Sequence, residues 1–432
     1  MVKYDSYIDS GITVLGKVPS QWLKSKFKFQ HQEFDLRVGE DSDNFQLLSL
    51  TKKGVIIRDI NSGKGKFPES FDTYKIVHKG DIIFCLYDIE ETPRTVGLSE
   101  TDGMISGSYK IFKTKGVIPK FTYYTFLVID DVKGLKPYYT GLRNVVRPET
   151  FNSLPFFVPP LQEQKQIVDF LNTKTSLIDS LIEKTQRKIE LLKEKRTSLI
   201  NHVVTKGLNP NIELKDSGVE WIGEIPNSWS RKKIKHISII ISKGTTPSTI
   251  GRELIDTGEV KYLKSENIVN NQVVENPKFF IDIETNELLG RSQLIEGDIL
   301  FVIAGASLGK VAILGSEFVP ANTNQAVSFI RLKQEENIKF IWYWLTSSHI
   351  EEQIWIDAVQ SAQPNLSMED LGNFFIPYPN FDEQQQIVEY LDKKTNLIDT
   401  TIFKEQKRVE LLKEYRQSLI SEVVTGKIKV CN

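Results

Sequence analysis

Cysteine is nearly absent from this chain. Cys85 and Cys431, the only two in 432 residues, cannot build a disulfide framework or, by themselves, a zinc site. Histidine is scarce too: His31, His78, His202, His236 and His349 are scattered and show no metal-ligand spacing. Long apolar runs are missing. The longest candidates, Ile237–Ile241 and Ile299–Ala304, are strand-sized, so no segment is expected to span a bilayer. No basic segment followed by an apolar run opens the chain, so no signal peptide is expected, and a reducing cytoplasm is the expected location. The net charge of −1 is not the strongly basic balance of a stand-alone nucleic-acid binder.

Catalytic signatures are also missing. There is no Asn-Pro-Pro-aromatic run of the kind that holds a flipped adenine for methylation, and no GxGxxG loop. Gly305-Ala-Ser-Leu-Gly-Lys310 is one residue short of a phosphate loop, and Val311 stands where Ser or Thr is needed. No catalytic residue, metal ligand or bound cofactor is therefore assigned to this chain.

What is present is a repeat. Residues 163–205 align without a gap on 383–425, with more than half the positions identical. A shorter match pairs Ile8–Trp22 with Lys215–Trp229, each running from Asp-Ser-Gly through a Gly and a Pro to a Trp. The order is short motif, variable region, long segment, and then all three again. The variable regions, roughly 23–158 and 230–378, show little mutual similarity, and the second is longer by about a dozen residues. A duplicated frame carrying different contents suggests one scaffold with two different readers.

The long segments read as helices. Leu171, Ile178, Leu192 and Leu199 recur at a heptad spacing, as do Leu391, Ile398, Leu412 and Leu419. A companion row holds Ile182, Ile189 and Val203, and Ile402, Val409 and Val423. Thr185 and Glu405 interrupt the first row, and Arg196 and Arg416 the second; such polar positions either set register or sit at solvated edges. Prolines precede each helix (Pro159, Pro160; Pro377, Pro379), and Gly207 and Gly426 follow. Each helix should hold about 40 residues and extend about 60 Å. Neither stripe can stay wet, and the simplest partner for each helix is the other, antiparallel. Almost nothing follows the second helix, so Ile8–Trp22 should pack where a following segment would have gone, bringing the termini together.

The expected fold class is α+β: two mixed α/β domains joined by two long antiparallel coiled-coil helices with pseudo-two-fold symmetry. The expected boundaries are 1–158 for the first domain and 159–207 for the first helix. Residues 208–378 make a linker and second domain, 379–426 the second helix, and 427–432 a tail. Strands are expected at Val55–Arg58, Asp81–Leu86, Tyr109–Phe112, Val260–Leu263, Asp298–Ile303, Val311–Leu314 and Ala326–Arg331. Helical patterns cover Phe121–Val128 and Ile338–Ser347. Lys79-Gly-Asp-Ile-Ile-Phe84 matches Glu296-Gly-Asp-Ile-Leu-Phe301, each a turn leading into a buried strand.

Between the strands lie side chains suited to nucleic acid. In the first variable region these are Lys52, Lys53, Arg58, Lys64, Lys66, Arg94, Ser106, Ser108, Tyr109, Arg143 and Arg147. In the second they are Lys243, Thr245, Thr246, Ser248, Arg252, Lys264, Ser265, Asn267, Asn322, Asn324, Gln325, Gln360, Gln363 and Asn365. Arg reads guanine and Asn or Gln reads adenine through paired hydrogen bonds, while Lys and Ser mostly hold phosphate. The first region counts slightly basic and the second slightly acidic, so neither would hold a duplex tightly by charge alone.

With these residues in view, the chain resembles the specificity (S) subunit of type I restriction–modification systems over essentially its whole length. The most specific blocks are Pro159-Pro-Leu-Gln-Glu-Gln-Lys-Gln-Ile-Val168 and Pro379-Asn-Phe-Asp-Glu-Gln-Gln-Gln-Ile-Val388. Trp221–Trp229, Gly297–Phe301, Asn324-Gln325 and Gln363–Ser367 add to them. The resemblance implies two target-recognition domains, each reading half of a bipartite, asymmetric sequence in double-stranded DNA. It implies helices that set the gap and dock two methyltransferase (modification) subunits carrying S-adenosylmethionine. A motor–nuclease (restriction) subunit using ATP and magnesium could join them. Two other readings stay open. A self-sufficient nuclease or methyltransferase would act on DNA without partners. A coiled-coil adaptor would give no sequence-specific protection of DNA.

Overall fold

The computed structural model describes residues 3–59, 68, 70–358 and 365–430. The chain divides into two compact units, Met1–Gln186 with Lys407–Asn432, and Arg187–Gln406. Each unit therefore takes part of both long helices, which run Leu161–Lys206 and Phe381–Val424.

The two units repeat one plan. In the first, an antiparallel four-stranded sheet runs in the spatial order His31–Phe34, Lys110–Thr114, Ile82–Phe84, Val96–Leu98. In the second, Ser238–Lys243, Val327–Leu332, Ile299–Val302 and Val311–Ile313 take the same order. A hairpin precedes each sheet: Tyr7–Asp9 with Lys17–Pro19, and Leu214–Asp216 with Glu224–Pro226. A two-stranded ribbon then leads into each long helix, Leu23–Lys26 with Pro155–Val158 and Ser230–Lys233 with Phe375–Tyr378. The variable regions, dissimilar in sequence, thus share a fold.

The matching Gly-Asp turns show why. Gly80 and Gly297 both adopt positive φ, which a side chain would oppose. The buried carboxylates of Asp81 and Asp298 then accept from the backbone amides of His78 and Ile295 at 2.8 and 2.9 Å. Each turn launches the strand whose fully buried residues centre the sheet, Ile82–Phe84 and Ile299–Val302.

The first core is aromatic, with Phe27 against Phe84, Phe112, Phe126 and Phe151. Ile167, Leu171 and Ile178 of the first long helix and Leu419, Ile420 and Val423 of the second close it. The second core joins Phe301, Phe340, Trp344 and Phe374 to Ile200 and Val203 of one helix and Ile387 and Leu391 of the other. In the second unit Lys188 meets Glu405 at 2.6 Å, while Arg196, further along the first helix, meets Asp399, earlier in the second, at 2.8 Å. The helices therefore run antiparallel. In the first unit Arg416 meets Asp179 at 2.8 Å. Arg416 is the repeat equivalent of Arg196, and Asp179 that of Asp399, so one contact occurs twice. The polar breaks at the two arginines are thus occupied by half-exposed ion pairs between the helices.

The N-terminal hairpin packs on the end of the second helix, as the repeat order requires. Tyr7 donates its hydroxyl to the Gly426 carbonyl at 3.0 Å. A Cβ at Gly426 would collide with Pro19. Glu163, at the start of the first long helix, accepts from the Trp22 indole at 2.8 Å and the Tyr4 hydroxyl at 2.5 Å.

Two stability predictions follow from these contacts. Glu163→Ala removes the buried acceptor shared by the Trp22 indole and the Tyr4 hydroxyl and should lower unfolding free energy by roughly 1–3 kcal/mol in a denaturant titration. His31 is buried, stacked on Phe27 at 3.9 Å, and bonded to the Phe27 carbonyl and the Thr122 hydroxyl. Burial outweighs the favourable backbone contact and lowers its pKa from 6.5 to about 4. Its folded form resists protonation, so its stabilising effect is complete above 6.5 and is lost as pH falls from there towards 4. Unfolding titrations of His31→Gln across that window should show a shallower pH slope than the wild-type chain; equal slopes would refute the assignment.

Candidate nucleic-acid interface

In both units the loops gather at the same end of the four-stranded sheet. In the first, this is the end where Lys110 pairs with Phe84 and the neighbouring Ile111 pairs with Phe34. Cys85–Asp88 leave it and Ser106–Tyr109 enter it. The Tyr87 hydroxyl lies 2.9 Å from Ser108 Oγ, which lies 3.0 Å from Ser106 Oγ. Tyr109 is half-buried, which pushes its phenol up to about 12. Arg143 reaches this end from a neighbouring loop and pairs with Asp88. Arg147 is exposed at the start of the short helix Pro148–Ser153. Lys75, not singled out by sequence, is buried here, pairing with Asp35 at 3.1 Å and donating to the Tyr109 carbonyl. Asp88 and Tyr87 also carried no sequence signal; Asp88 has positive φ, unusual for a residue with a side chain.

Other candidates of this unit lie elsewhere. Arg94 is engaged inside the fold, bonded to Asp130 at 3.1 Å and Asp131 at 2.7 Å. Lys52 and Lys53 form the exposed turn of the hairpin Leu48–Thr51 and Gly54–Ile57, and Arg58 follows it. Lys53 lines a cleft of about 600 Å3 with Lys120, Tyr123, Asn172, Asp179 and Arg416. Lys64 and Lys66 lie outside the described residues.

In the second unit the corresponding end carries Lys243, Val302 and Val327. Thr245, Thr246 and Ser248 follow the first strand, and Asn324 and Gln325 precede Val327. The Thr246 hydroxyl donates to the Gln325 side-chain oxygen at 2.8 Å, tying the two loops together. Tyr262 donates to the Thr245 carbonyl at 2.9 Å. Strand Val260–Leu263 runs parallel to Ala321–Thr323, so Lys264 and Ser265 leave beside Asn324. The Lys264 ammonium sits 3.6 Å from the centre of the Phe279 ring. Asn365 is exposed and bridges to Ala304 on the same rim.

Three further candidates of this unit have partners within the fold. Asn267 is buried and donates to the Val274 and Pro277 carbonyls. Asn322 is buried and donates to Asn286 and the Leu289 carbonyl. Arg252 is paired with Glu284. Gln360 and Gln363 lie outside the described residues. Gly305–Lys310 turns between the antiparallel strands Ile299–Val302 and Val311–Ile313, where no helix follows to make a phosphate loop. Among the described residues there is no cluster of His, Cys, Asp and Glu able to hold a metal ion, and no helix long and apolar enough to cross a membrane.

The chain is similar to known proteins over most of its length. The type I restriction modification DNA specificity domain family matches residues 42–192 and 226–411. The MjaVIII type I restriction enzyme specificity subunit of Methanocaldococcus jannaschii is 28% identical over 68% of this chain and 66% of its own length, just under two thirds. The putative MjaX specificity subunit of the same organism is 23% identical over 97% of this chain and 96% of its own. A chain from a structural study of complex assembly in the type I R-M system superposes with a TM-score of 0.70 at 15% identity, covering 95% of this chain and 99% of that one.

The closeness of the two loops in the second unit makes a prediction. A Cβ on Gly244 would lie 1.7 Å from the Thr323 carbonyl oxygen, a backbone atom. Gly244→Ala must push the Thr245–Ser248 loop off Asn324–Gln325 and should destabilise the second unit by about 1–3 kcal/mol. Calorimetry should show this as a lowered transition, and an unchanged one would mean the loops are not in contact.

Proposed function

The chain belongs to the type I restriction–modification DNA specificity family, and from that premise we propose that it reads a bipartite, asymmetric sequence in double-stranded DNA, one half with each unit. One observation carries the reading. Two sheets of the same strand order present different side chains at the same end: Ser106, Tyr109 and Arg143 in one, Lys243, Thr246, Lys264, Asn324 and Gln325 in the other. A common frame with different contact chemistry is what two unlike half-sites require. Lys52, Lys53, Arg147, Ser248 and Asn365 are exposed positions from which backbone phosphates could be held.

In this reading the long helices set the gap between half-sites. Half-sites about one duplex turn apart present the same groove to both readers. The helices also dock two methyltransferase subunits. Leucines off the core stripe support that role: Leu177 and Leu411 in the first unit and Leu191 and Leu397 in the second are exposed, and they are repeat equivalents in pairs. The methyltransferases would bring S-adenosylmethionine, and a motor–nuclease subunit would use ATP and magnesium, all in the cytoplasm. This chain would take no chemical step. With a net charge of −1, it would rely on those partners for much of the phosphate contact.

Adenine-methylation mapping in cells expressing the chain with its methyltransferase tests this. The expected result is a bipartite motif with a fixed gap that disappears when the chain is deleted. Methylation indifferent to the deletion would refute the reading and favour a helical adaptor. Adding one helical turn to both long helices should change the gap and keep both half-sites; the same gap would refute the spacing role.

A further inference from the structure

The polar end of the first sheet holds one arginine in a fixed pose. Arg143 stands on a short loop closed by mutual backbone hydrogen bonds between Thr140 and Val145. Leu142 beside it is fully exposed, so the loop tip projects into solvent. The Asp88 amide donates to the Arg143 carbonyl at 2.8 Å, which anchors the backbone. The Asp88 carboxylate grips the side chain by two bonds, accepting from Nε at 3.2 Å and from Nη2 at 2.5 Å. The guanidinium carbon lies 5.4 Å from the centre of the Tyr87 ring, whose hydroxyl is tied to Ser108.

This grip contributes little stability, because the Arg143 side chain remains 68% exposed and exposed pairs are screened. Its consequence is orientation. A guanidinium has donors on Nε, Nη1 and Nη2 and no acceptor. Asp88 takes the Nε–Nη2 edge. The Nη1–Nη2 end keeps two parallel donors directed away from the carboxylate. In the major groove guanine alone offers two adjacent acceptors, O6 and N7, whereas adenine pairs an acceptor with a donor.

We infer that Arg143 reads a guanine in the half-site of the first unit and that Asp88 is its positioning residue. The inference rests on the DNA-reading function proposed above and adds a base to it. No other described arginine at this end combines exposure with a two-bond grip: Arg94 is turned into Asp130 and Asp131.

The test uses the full chain assembled with its methyltransferase and duplexes varied one base pair at a time, each measured at several salt concentrations. Arg143→Ala should cut discrimination at a single G·C position, in one half-site only, by roughly five- to a hundred-fold. The salt slope should not change. Arg143→Lys should relax the same position, since an ammonium lacks the two-pronged geometry. Asp88→Asn should relax it less. Retained discrimination in the other half-site shows that each variant is folded. Uniform weakening across all sequences with a salt slope smaller by about one would make Arg143 a phosphate contact and overturn the inference. So would unchanged discrimination with a normal wild-type complex. A wild-type complex without any sequence preference would instead overturn the DNA-reading function, and this inference with it.

Discussion

The arrangement of this chain depends on an ion pair that occurs twice. Asp179 meets Arg416 in one unit and Asp399 meets Arg196 in the other, through repeat-equivalent residues. The apolar stripes alone would permit several overlaps, since a heptad row can slide by a heptad and still be covered. An arginine with its carboxylate at one fixed place cannot. These pairs are half-exposed and add little energy. Their geometry matches one overlap of the helices within each unit.

The blocks that mark the family in sequence have a related structural purpose. Gln164 is buried, with its amide nitrogen on the Pro159 carbonyl at 2.9 Å and its oxygen on the Ile118 amide at 2.8 Å. Gln384 repeats the bond to the Pro379 carbonyl at 3.0 Å. Each bond ties the proline carbonyl just ahead of the helix to a side chain of the helix's first turn. The glutamine thus ties the end of the entering strand to the start of the helix. Glu163 adds the N-terminal hairpin through Trp22 and Tyr4. The most specific motif of the sequence is thus a joint and leaves the loops free to vary.

That division explains what the sequence disclosed. The long helices were legible from their stripe, and the central strands Ile82–Phe84 and Ile299–Val302 from unbroken apolar runs after a Gly-Asp turn. Strand His31–Phe34 was not, being short and only partly buried at the sheet edge. Ser238–Lys243 was legible only as the strand-sized apolar run Ile237–Ile241 and not as a sheet strand, and its Ile239 and Ile240 face solvent. The site was legible as a set of residue types and not as a geometry. Asn267 and Asn322 have the composition of adenine readers, yet their amides are committed to backbone carbonyls and Asn286 inside the fold. Whether an asparagine faces a loop or a core depends on strand pairing over tens of residues, which residue type does not encode. Asp88 and Tyr87, which shape the first rim, look in sequence like any acidic turn and any buried aromatic.

The same bookkeeping bears on the chain's neutrality. Arg94, Arg196, Arg252, Arg331 and Arg416 are all engaged with carboxylates of their own unit. These cations define the fold and its register, so they are poorly placed to neutralise phosphates as well. Those five side chains are therefore less available for counterion release on a polyanion. The proposed reading does not need that source of affinity, because discrimination needs only a few donors and acceptors held in fixed positions. The Thr246–Gln325 bond and the Asp88 grip on Arg143 are such fixtures: each couples two loops and orients a side chain at little energetic gain. Under the proposed function, rigid placement on weak electrostatics suits a reader, since excess charge on it would raise its affinity for every sequence alike.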